Sequence, residues 1–430
     1  MDVVYVHPAK QGAKPSYTGL GTTYLFMPVG VIGLVNLLRR DGFLVRGINH
    51  PALLQRDENY SLEGWLCRQQ GVRAALIDLH WYEHCYGALD VARLCKQVLP
   101  NVPVVLGGMT ASLFAQEILA GFPEVDYIVH GDAEEPLRQL MRNLDRGQGT
   151  DLRTVPNLAY RQGQAVIANP RSYTATAQTL DGLDFVDLSF LEDHSWYRRL
   201  QFSATGLTMD EHDATGHWLC LGRGCRWDCS FCGGGARAQQ RLFGRQGLTM
   251  RSPVAVAKDM TRLAEQGVTQ VSLNLDLYLA GEEYAEELLS ELGRAGVRLG
   301  VYNEHFHLPD SRSVERLAQA VDVHYSELGF TLISGSEPVR RRNGKHFSNR
   351  DFFRLLHTLK QIGMPIYVYF SLNLPGETAK TFQRTLAMAE QIASFYPSHL
   401  LKMINMFHTL DPLSPMAEEP GQYQTRTVFR

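Results

Sequence analysis

The chain contains the stretch Gly222-Arg-Gly-Cys-Arg-Trp-Asp-Cys-Ser-Phe-Cys-Gly-Gly-Gly235, in which Cys225, Cys229 and Cys232 have the spacing C-x3-C-x2-C. Three thiolates this close together are soft ligands of the kind that a metal ion or an iron–sulfur cluster requires. A [4Fe-4S] cluster needs four ligands, so three cysteines would leave one iron open to a small molecule. The alternatives are a zinc site or three unconnected core cysteines. A structural zinc site needs a fourth ligand, and Cys220 lies in an apolar run that predicts a strand.

This spacing resembles the signature of the radical S-adenosylmethionine (SAM) enzymes. Trp227 lies between the first two cysteines, and Phe231 precedes the third, where that family usually has an aromatic residue. The resemblance implies that the three cysteines bind a [4Fe-4S] cluster whose open iron binds SAM. It also implies that the reduced cluster cleaves SAM to a 5′-deoxyadenosyl radical, with electrons from an external donor of the flavodoxin or ferredoxin type.

Composition limits the possible partners and the compartment. The chain has 430 residues, is 44% hydrophobic and 20% charged, and carries a net charge of −3, which is typical of a globular protein of two or three domains. This charge gives no general attraction to nucleic acid or membranes, so we expect neither as a partner. The N-terminus predicts a strand and not a signal peptide, and no apolar run approaches the ~20 residues that span a bilayer. Seven cysteines without a pairing pattern indicate a reducing cytoplasm.

Residues 1–150 alternate short apolar runs with amphipathic stretches. This alternation predicts a doubly wound parallel sheet, whose ligands bind beyond the carboxyl ends of the strands. The segment has no G-x-G-x-x-G motif, so a nicotinamide or flavin cofactor is not predicted. The predicted strands are residues 3–6, 43–48, 74–78, 104–106 and 127–129.

The loops after these strands carry glycines and histidines. A long glycine-containing loop, residues 7–28, follows the first strand. His80 and His84 follow the third strand, and Gly107 and Gly108 follow the fourth. Glycines at these positions would let a large ligand approach the backbone closely.

Two runs in this half, residues 104–112 and 123–136, resemble the cobalamin-binding domain that precedes the barrel in many radical SAM proteins. The resemblance implies a Rossmann-like B12-binding domain at residues 1–150, with Gly107, Gly108 and His80 as cofactor-binding residues. The D-x-H-x-x-G motif, which supplies a lower ligand to cobalt in many cobalamin proteins, is absent. The lower ligand therefore has only positional candidates among the histidines, and some relatives keep this fold without using cobalamin.

Two further segments complete the predicted organisation before the second half. Residues 151–205 shift in composition, contain a predicted hairpin at residues 156–167, and are predicted to be a linker that packs on both domains. Residues 206–400 resume the alternation of strands and helices, and residues 401–430 are predicted to form a C-terminal cap. The predicted strands of the second half are residues 219–221, 270–275, 298–306, 325–333, 365–372 and 400–407.

Repeated βα units form a parallel barrel with its chemistry at the carboxyl ends of the strands. Radical SAM enzymes have a partial barrel of six units, so the resemblance implies an α/β protein with a (β/α)6 partial TIM barrel after the N-terminal domain. It also implies contacts to SAM. The residues that match the family's SAM-binding motifs are Gly233, Gly234 and Gly235 for the amino group, Ser334, Ser336 and Glu337 for the ribose and carboxylate, and Asn373 near the adenosine.

Three acidic residues lie on or at the ends of the predicted barrel strands: Asp276, Glu304 and Glu327. An inward-facing carboxylate needs a partner or a function. We expect Glu304 and Asp276 to be catalytic, and a structural hydrogen-bonding role is the alternative for each.

Taken together, the resemblances imply a cobalamin-dependent radical SAM methyltransferase that acts on a small molecule of secondary metabolism, such as an antibiotic precursor. The alternative is a radical SAM dehydratase, epimerase or rearrangement enzyme that keeps the B12-binding fold without cobalamin. Glu304, His305 and His307 would then act as general acids or bases. A non-catalytic corrinoid or metal sensor is a third possibility, but a sensor has no need of three cysteines that leave an iron open.

Overall fold

The computed structural model of the protein describes residues 1–10, 25–145, 151–202, 214–408 and 410–426. It divides into two compact units, Met1–Leu200 with Gln240–Arg245, and Gln201–Gln239 with Gln246–Arg430. Most of the predicted loop 7–28 lies outside the described residues, as does the predicted boundary between residues 205 and 206.

The first unit is built on one sheet, which has seven strands within the described residues. Their order is β2-β1-β3-β4-β5-β6-β7; β1 to β5 are parallel, and β6 and β7 are antiparallel to their neighbours. The strands are β1 Val3–His7, β2 Val45–Asn49, β3 Ala74–Asp78, β4 Val104–Gly107, β5 Tyr127–Val129, β6 Leu158–Gln162 and β7 Ala165–Ala168.

Helices cover both faces of this sheet. Every residue of β1 and β3 is buried, which explains their near-continuous apolar sequences. Val4 and Ile77 belong to the core on one face, and Tyr5 and Leu76 belong to the core on the other. The helices are α1 Val29–Arg40, α2 His50–Arg56, α3 Leu62–Cys67, α4 Cys85–Val98, α5 Met109–Leu113, α6 Ala115–Gly121, α7 Glu134–Asp145, α8 Ala177–Asp181 and α9 His194–Leu200, with short 3-10 turns at Tyr82–His84 and Leu152–Thr154.

The predicted linker is, up to residue 200, a part of the first unit. The predicted hairpin is present as β6 and β7, and β6 pairs antiparallel with β5. Leu158, Ala159 and Tyr160 are buried there, because they cover the edge that β5 would otherwise expose. The change in composition after residue 150 therefore marks the change from parallel to antiparallel strands and not a departure from the domain.

The second unit contains a six-stranded parallel sheet within the described residues, as predicted. Its order is β15-β14-β13-β12-β11-β8, so the order of these strands in the sheet follows their order in the chain. β9 and β10 form a separate antiparallel pair. The strands are β8 Gly216–Leu219, β9 Gly222–Gly224, β10 Leu248–Met250, β11 Gln270–Leu273, β12 Gly300–His305, β13 Glu327–Ile333, β14 Ile366–Leu372 and β15 Leu401–Phe407.

Capping residues set the ends of the helices that follow these strands. Ser348 and Asp351 form a capping box at the start of α15, and Gly363 ends that helix in the left-handed conformation. The helices are α10 Ala236–Phe243, α11 Pro253–Glu265, α12 Glu282–Ala295, α13 Ser311–Ala320, α14 Glu337–Arg342, α15 Asn349–Ile362, α16 Ala379–Phe395, α17 Pro415–Glu418 and α18 Pro420–Tyr423, with a 3-10 turn at Ser398–Leu400.

Among the described residues, no helix has both the length and the apolar character that a membrane crossing requires.

The last predicted strand, residues 400–407, is present as β15, which pairs in parallel with β14 from Leu401 to Phe407. The first seven residues of the predicted cap, 401–407, therefore belong to the sheet. β15 is an edge strand of this sheet, and its apolar residues Met406 and Phe407 are exposed. The described residues that follow contain α17 and α18.

Candidate functional site

The cysteine loop begins at the carboxyl end of β8, the edge of a parallel sheet where chemistry is expected. The chain passes through Cys220 into β9, which pairs with β10 through Gly222 and Met250. A Cβ atom at Gly222 would lie 2.6 Å from the carbonyl oxygen of Thr249, so only glycine fits there. The sequence predicts a strand at residues 219–221, but β8 ends at Leu219, so Cys220 lies in the connection between β8 and β9. Cys220 is buried there, and its Sγ lies 3.6 Å from the Gly222 carbonyl oxygen.

Backbone N–H groups point at two of the three cysteine sulfurs. The N–H of Trp227 donates to Cys225 Sγ at 3.4 Å, and the N–H of Gly234 donates to Cys232 Sγ at 3.3 Å. The N–H of Cys232 donates to the Cys229 carbonyl at 3.1 Å and closes the loop. Hydrogen bonds to sulfur stabilise a bound thiolate and influence the potential of a cluster.

The three thiols fit a multi-iron cluster better than a single ion. Within the described residues, the three cysteine sulfurs do not form a group in which all ligand atoms lie within 4.8 Å of one another. The group that meets this condition consists of two histidines and an aspartate. In a cluster each cysteine binds a different iron, so the sulfurs need not converge on one point. Burial raises the pKa of all three thiols, that of Cys232 to about 12, so a bound metal is needed to hold them as thiolates.

The three glycines after the last cysteine have different surroundings. A Cβ atom at Gly233 would lie 2.3 Å from the Pro412 carbonyl oxygen, and one at Gly235 would lie 2.7 Å from Asp228 Oδ1. A Cβ atom at Gly234 would meet only the Cys232 sulfur, at 3.8 Å. Packing therefore explains Gly233 and Gly235, while Gly234 keeps space beside the sulfur.

Segments far apart in sequence hold the cysteine loop in place. The N–H of Gly233 donates to Asp411 Oδ2 at 3.1 Å. The hydroxyl of Ser230 bonds to the side-chain oxygen of Asn343, whose amide donates to the Pro375 carbonyl at 2.9 Å. The backbone of Gly344 lies directly against Cys229.

The two aromatic residues of the cysteine loop each pack against a histidine. The rings of Trp227 and His307 are 4.2 Å apart, and those of Phe231 and His408 are stacked at 4.4 Å. Burial lowers the pKa of both histidines to about 4, so both are neutral at pH 7. His408 Nε2 lies 2.8 Å from the Ser371 hydroxyl, which links the loop to the end of β14.

Lys345 is a buried cation near the cysteines that the sequence does not reveal. Its side chain is 2% exposed, and Nζ donates to the Phe306 carbonyl at 2.8 Å. Burial is the main influence on the pKa of Cys225 and Cys229, and the positive charge of Lys345 acts against it by favouring the thiolates. An ammonium group here would offset the negative charge of a thiolate-bound cluster.

The end of β13 is strained and packed against the cysteine loop. Ile333 has a φ of 57°, an unfavourable value for a β-branched residue, next to an irregularity in its pairing with β14. Its side chain is buried with Val339 and Leu374, and Phe231 packs on this cluster. The contacts that stabilise the strained backbone at Ile333 therefore also position Phe231, the residue before Cys232.

Of the predicted residues after β13, Ser336 alone keeps an unused polar atom. Its Oγ is buried and makes no hydrogen bond, so it has capacity for a ligand. Ser334 Oγ lies 3.2 Å from the Thr385 hydroxyl, and Glu337 accepts from the Asn349 N–H at 2.8 Å. Ser334 and Glu337 are thus engaged with neighbouring helices.

Asn373 has a structural role at the end of β14. Its side-chain amide donates to the His408 carbonyl at 2.9 Å and accepts from the His408 N–H at 3.1 Å. The side chain therefore imitates a strand partner and joins the ends of β14 and β15. Nearby Glu377 Oε1 is buried without a hydrogen-bond partner.

Asp276 and Glu304, the two predicted catalytic acids, have different environments. Asp276 accepts from the N–H of Phe306 at 2.9 Å and lies 3.1 Å from His305 Nδ1. Burial opposes its ionisation, but His305 and the backbone donors lower its pKa, so Asp276 is a satisfied acceptor that orients His305. Glu304 accepts from the Thr331 hydroxyl at 2.9 Å, and burial raises its pKa.

Aromatic residues surround Glu304 on one face of the parallel sheet. The Trp218 and Tyr302 rings are 5.8 Å apart, the Tyr302 and Tyr369 hydroxyls are 3.1 Å apart, and the Tyr367 and Tyr369 rings are 4.1 Å apart. Tyr302 and Glu304, like Tyr367 and Tyr369, are two positions apart on a strand, so their side chains share a face. This spacing is the sequence signal that would have identified the group.

Residues 219–389 match the profile of the Radical SAM superfamily. This match covers the cysteine loop, α10 to α15 and β9 to β14. It begins at the last residue of β8. These residues form a radical SAM domain.

The curated relatives extend the similarity beyond the radical SAM domain. The hopanoid C-3 methylase of Methylococcus capsulatus is 26% identical over 366 residues, which are 83% of this chain and 63% of that protein. The anaerobic magnesium-protoporphyrin IX monomethyl ester cyclase of Cereibacter sphaeroides is 22% identical over 318 residues, 71% of this chain and 47% of that protein. The chain thus spans between about half and two thirds of the length of these relatives.

Solved structures share the fold over nearly the whole chain. The radical SAM methyltransferase TsrM of Kitasatospora setae, with cobalamin and a [4Fe-4S] cluster bound, has a TM-score of 0.71 at 17% identity, covering 98% of this chain and 78% of TsrM. The cobalamin-dependent SAM radical enzyme OxsB, with aqua-cobalamin and SAM bound, has a TM-score of 0.62 at 11% identity, covering 98% of this chain and 61% of OxsB. At these identities the likeness confirms the fold: an N-terminal α/β unit followed by a partial barrel.

The predicted cofactor residues of the first unit lie at the carboxyl ends of β3 and β4. Gly108 has a φ of 111°, and a Cβ atom there would lie 2.7 Å from His80 Cα, so this glycine lets the two loops pack together. Gly107 has open space, since its nearest contact is the Val129 carbonyl at 3.9 Å. His80 is partly exposed and packs against Trp81 at 4.9 Å. Gly107 and His80 therefore retain surface for a ligand.

Proposed function

We propose that this chain is a radical SAM enzyme that uses cobalamin to methylate a small-molecule substrate, in the biosynthesis of an antibiotic or another secondary metabolite. One observation carries the proposal. Three cysteines occupy a loop at the carboxyl end of the first strand of a six-stranded parallel sheet, in a chain whose fold follows that of TsrM over 98% of its length.

In this proposal Cys225, Cys229 and Cys232 hold a [4Fe-4S] cluster, and Gly234 and Ser336 face SAM. When bound, the cluster supplies the electron that cleaves SAM, and cobalamin supplies a methyl carrier. The residues of the chain contribute binding, charge and the exclusion of water. The N–H groups directed at sulfur favour the thiolate forms, and the buried Ser336 hydroxyl has no partner of its own.

The cobalamin part of the proposal depends on the first unit. Gly107 and His80 lie at the edge of the parallel sheet where ligands of doubly wound folds bind. TsrM and OxsB, the two solved relatives named above, bind cobalamin, and TokK of Streptomyces tokunonensis, 27% identical over 161 residues, is a cobalamin-dependent radical SAM methyltransferase.

The substrate in this proposal is a small molecule held against the aromatic face of the sheet. Trp218, Tyr302, Tyr367 and Tyr369 offer ring faces and hydroxyl groups, and Glu304 offers a carboxyl group. Such a surface suits a planar or cationic group that stacks on a ring and bonds to the carboxyl group of Glu304. An external donor of the flavodoxin or ferredoxin type would supply electrons. A thiolate-held cluster suits a reducing compartment, for which we propose the cytoplasm.

Anaerobic reconstitution tests the proposal. The chain should bind about four irons in one [4Fe-4S] cluster, take up one corrinoid, and convert SAM to S-adenosylhomocysteine and 5′-deoxyadenosine. The triple variant Cys225→Ala, Cys229→Ala, Cys232→Ala should lose the cluster and all SAM turnover. Cys220→Ala is the matched control and should keep both, because Cys220 lies in the strand connection. A triple variant that retained its cluster would contradict the ligand assignment.

The acid–base groups favour a second candidate, a radical SAM dehydratase or epimerase that does not use cobalamin. Burial raises the pKa of Glu304 and so favours a protonated carboxyl group, and His307 is neutral with a buried Nε2 that makes no hydrogen bond. A carboxyl group with a raised pKa suits a general acid, and a neutral imidazole suits a general base. Formation of 5′-deoxyadenosine by a chain that binds a full cluster but no corrinoid would select this candidate.

A further inference from the structure

A compact group of metal-binding side chains lies in the first unit, away from the cysteines in sequence. His7 is the last residue of β1, Asp78 is the last residue of β3, and His84 ends the 3-10 turn that follows β3. One ligand atom from each lies within 4.8 Å of the other two. We propose that His7, Asp78 and His84 bind one divalent transition-metal ion, with Zn²⁺ as the best match.

The fold brings these residues together through strand register. β1 and β3 are adjacent and parallel, with Val6 paired to Ile77, so His7 and Asp78 are the next residues along the two strands. His7 Nδ1 lies 3.0 and 3.1 Å from the two oxygens of Asp78. Two ligands that are each about 2.0–2.1 Å from a tetrahedral zinc lie about 3.3 Å apart. The pair is therefore already close to the spacing that a shared ion imposes.

The ligand types also select this class of ion. Two imidazoles and one carboxylate are a ligand set that zinc uses in sites with three protein ligands. Imidazole is a good ligand for transition metals, whereas Mg²⁺ and Ca²⁺ prefer oxygen ligands. Both histidines are fully buried and Asp78 is 5% exposed. A buried carboxylate needs a positive partner, and a metal ion bound by Asp78 and His7 would supply one.

Neighbouring groups support the site. The Tyr5 hydroxyl donates to Asp78 Oδ1 at 2.7 Å, which is the outer hydrogen bond expected for a ligating carboxylate. His50 follows β2, the strand that pairs with β1, and is also fully buried. Neither of its ring nitrogens makes a hydrogen bond, so a third buried imidazole is available beside the site.

The proposed ion is separate from the cobalt of a corrin. The cobalt of a corrin can accept only one protein ligand on a given face. Binding to cobalt would therefore not require that His7, Asp78 and His84 all lie close to one another. A free ion uses all three, and it would fix the end of β1 to the turn after β3. That turn follows Trp81, whose ring is 5.7 Å from that of His84.

Zinc loading of the cluster-free chain tests the proposal. The full-length triple cysteine variant has no thiolate cluster site, so it is incubated with Zn²⁺ and dialysed, and zinc is counted by mass spectrometry. We expect one zinc per chain, with X-ray absorption showing nitrogen and oxygen at about 2.0–2.1 Å and no sulfur at about 2.3 Å. Adding His84→Ala should remove the zinc. His130→Ala, a buried histidine at the end of β5, is the matched control and should keep it.

A milder change separates metal binding from a packing role. Tyr5→Phe removes only the hydroxyl on Asp78 and should weaken zinc binding by about 10–100-fold while the chain stays folded. The proposal is wrong if the cluster-free chain binds no zinc, if His84→Ala retains it, or if sulfur is the main ligand. Should His84→Ala fail to fold, Co²⁺ added to the cluster-free chain decides: visible bands of a nitrogen- and oxygen-bound ion support the site, and their absence overturns it. No corrin or SAM is present, so failure here leaves the proposed function untouched.

Discussion

Replacing Gly344 by alanine should disturb the cluster without otherwise damaging the fold. Gly344 has a φ of 86°, and a Cβ atom there would lie 3.0 Å from Cys229 Cα and 3.3 Å from Cys229 Sγ. Ordinary contacts begin at 3.4 Å, so Cys229 must move by about 0.4 Å. Metal–ligand distances tolerate only about 0.2 Å, so the shift exceeds what the site can absorb.

Gly363→Ala is a matched control for this change. Gly363 also has a positive φ, 73°, at the end of α15, but a Cβ atom there would have nothing within 4 Å. Both variants should lose about 1–2 kcal/mol of unfolding free energy, because alanine disfavours the left-handed conformation. Only Gly344→Ala carries the additional contact with Cys229, a proposed cluster ligand.

The assay compares iron and sulfide per chain after anaerobic reconstitution, and the rate at which a chelator then removes iron. We expect Gly344→Ala to hold less than about half the iron of Gly363→Ala and to lose it faster, given the tolerance above. Equal iron content and equal loss rates in the two variants, at matched stability in urea, would refute the argument that Gly344 is needed to seat Cys229.

Two further predictions concern stability. Arg251→Met breaks a buried ion pair with Asp259, whose atoms are 2.7 Å apart, and should lower the unfolding free energy by about 3–5 kcal/mol in urea titrations. Arg153→Met, in an exposed pair, should change it by less than about 1 kcal/mol, and similar losses in both would contradict this account. Burial, with a smaller effect of His7, lowers the pKa of His50 to about 4. Between pH 6.5 and about 4 the unfolded chain holds a proton on His50 that the folded chain lacks, so stability falls as the pH falls. His50→Phe should reduce that slope by about 1.4 kcal/mol per pH unit, and an unchanged slope would refute the assignment.

Much of the fold follows from local patterns in the sequence. The buried runs of β1 and β3 and the amphipathic helices between the strands predict a parallel sheet, because each element must bury its apolar side. The capping box at Ser348 and the glycine at Gly363 likewise predict where α15 begins and ends. The antiparallel extension of the first sheet is harder to predict from the sequence, because a hairpin has the same local pattern whether it joins a sheet or links two domains.

The candidate site divides in the same way. The C-x3-C-x2-C spacing by itself predicts the proposed cluster ligands, because three cysteines within one loop need no long-range contact to lie near one another. The tertiary structure alone decided what surrounds them: Lys345, Asn343 and Asp411 come from segments more than a hundred residues away along the chain. It also decided that Glu337 and Asn373 are occupied by neighbouring helices and strands, and that His7 meets Asp78 and His84 at one edge of a sheet. Contacts of this kind depend on strand order and register, which arise from packing across the whole unit and cannot be recognised in a local sequence pattern.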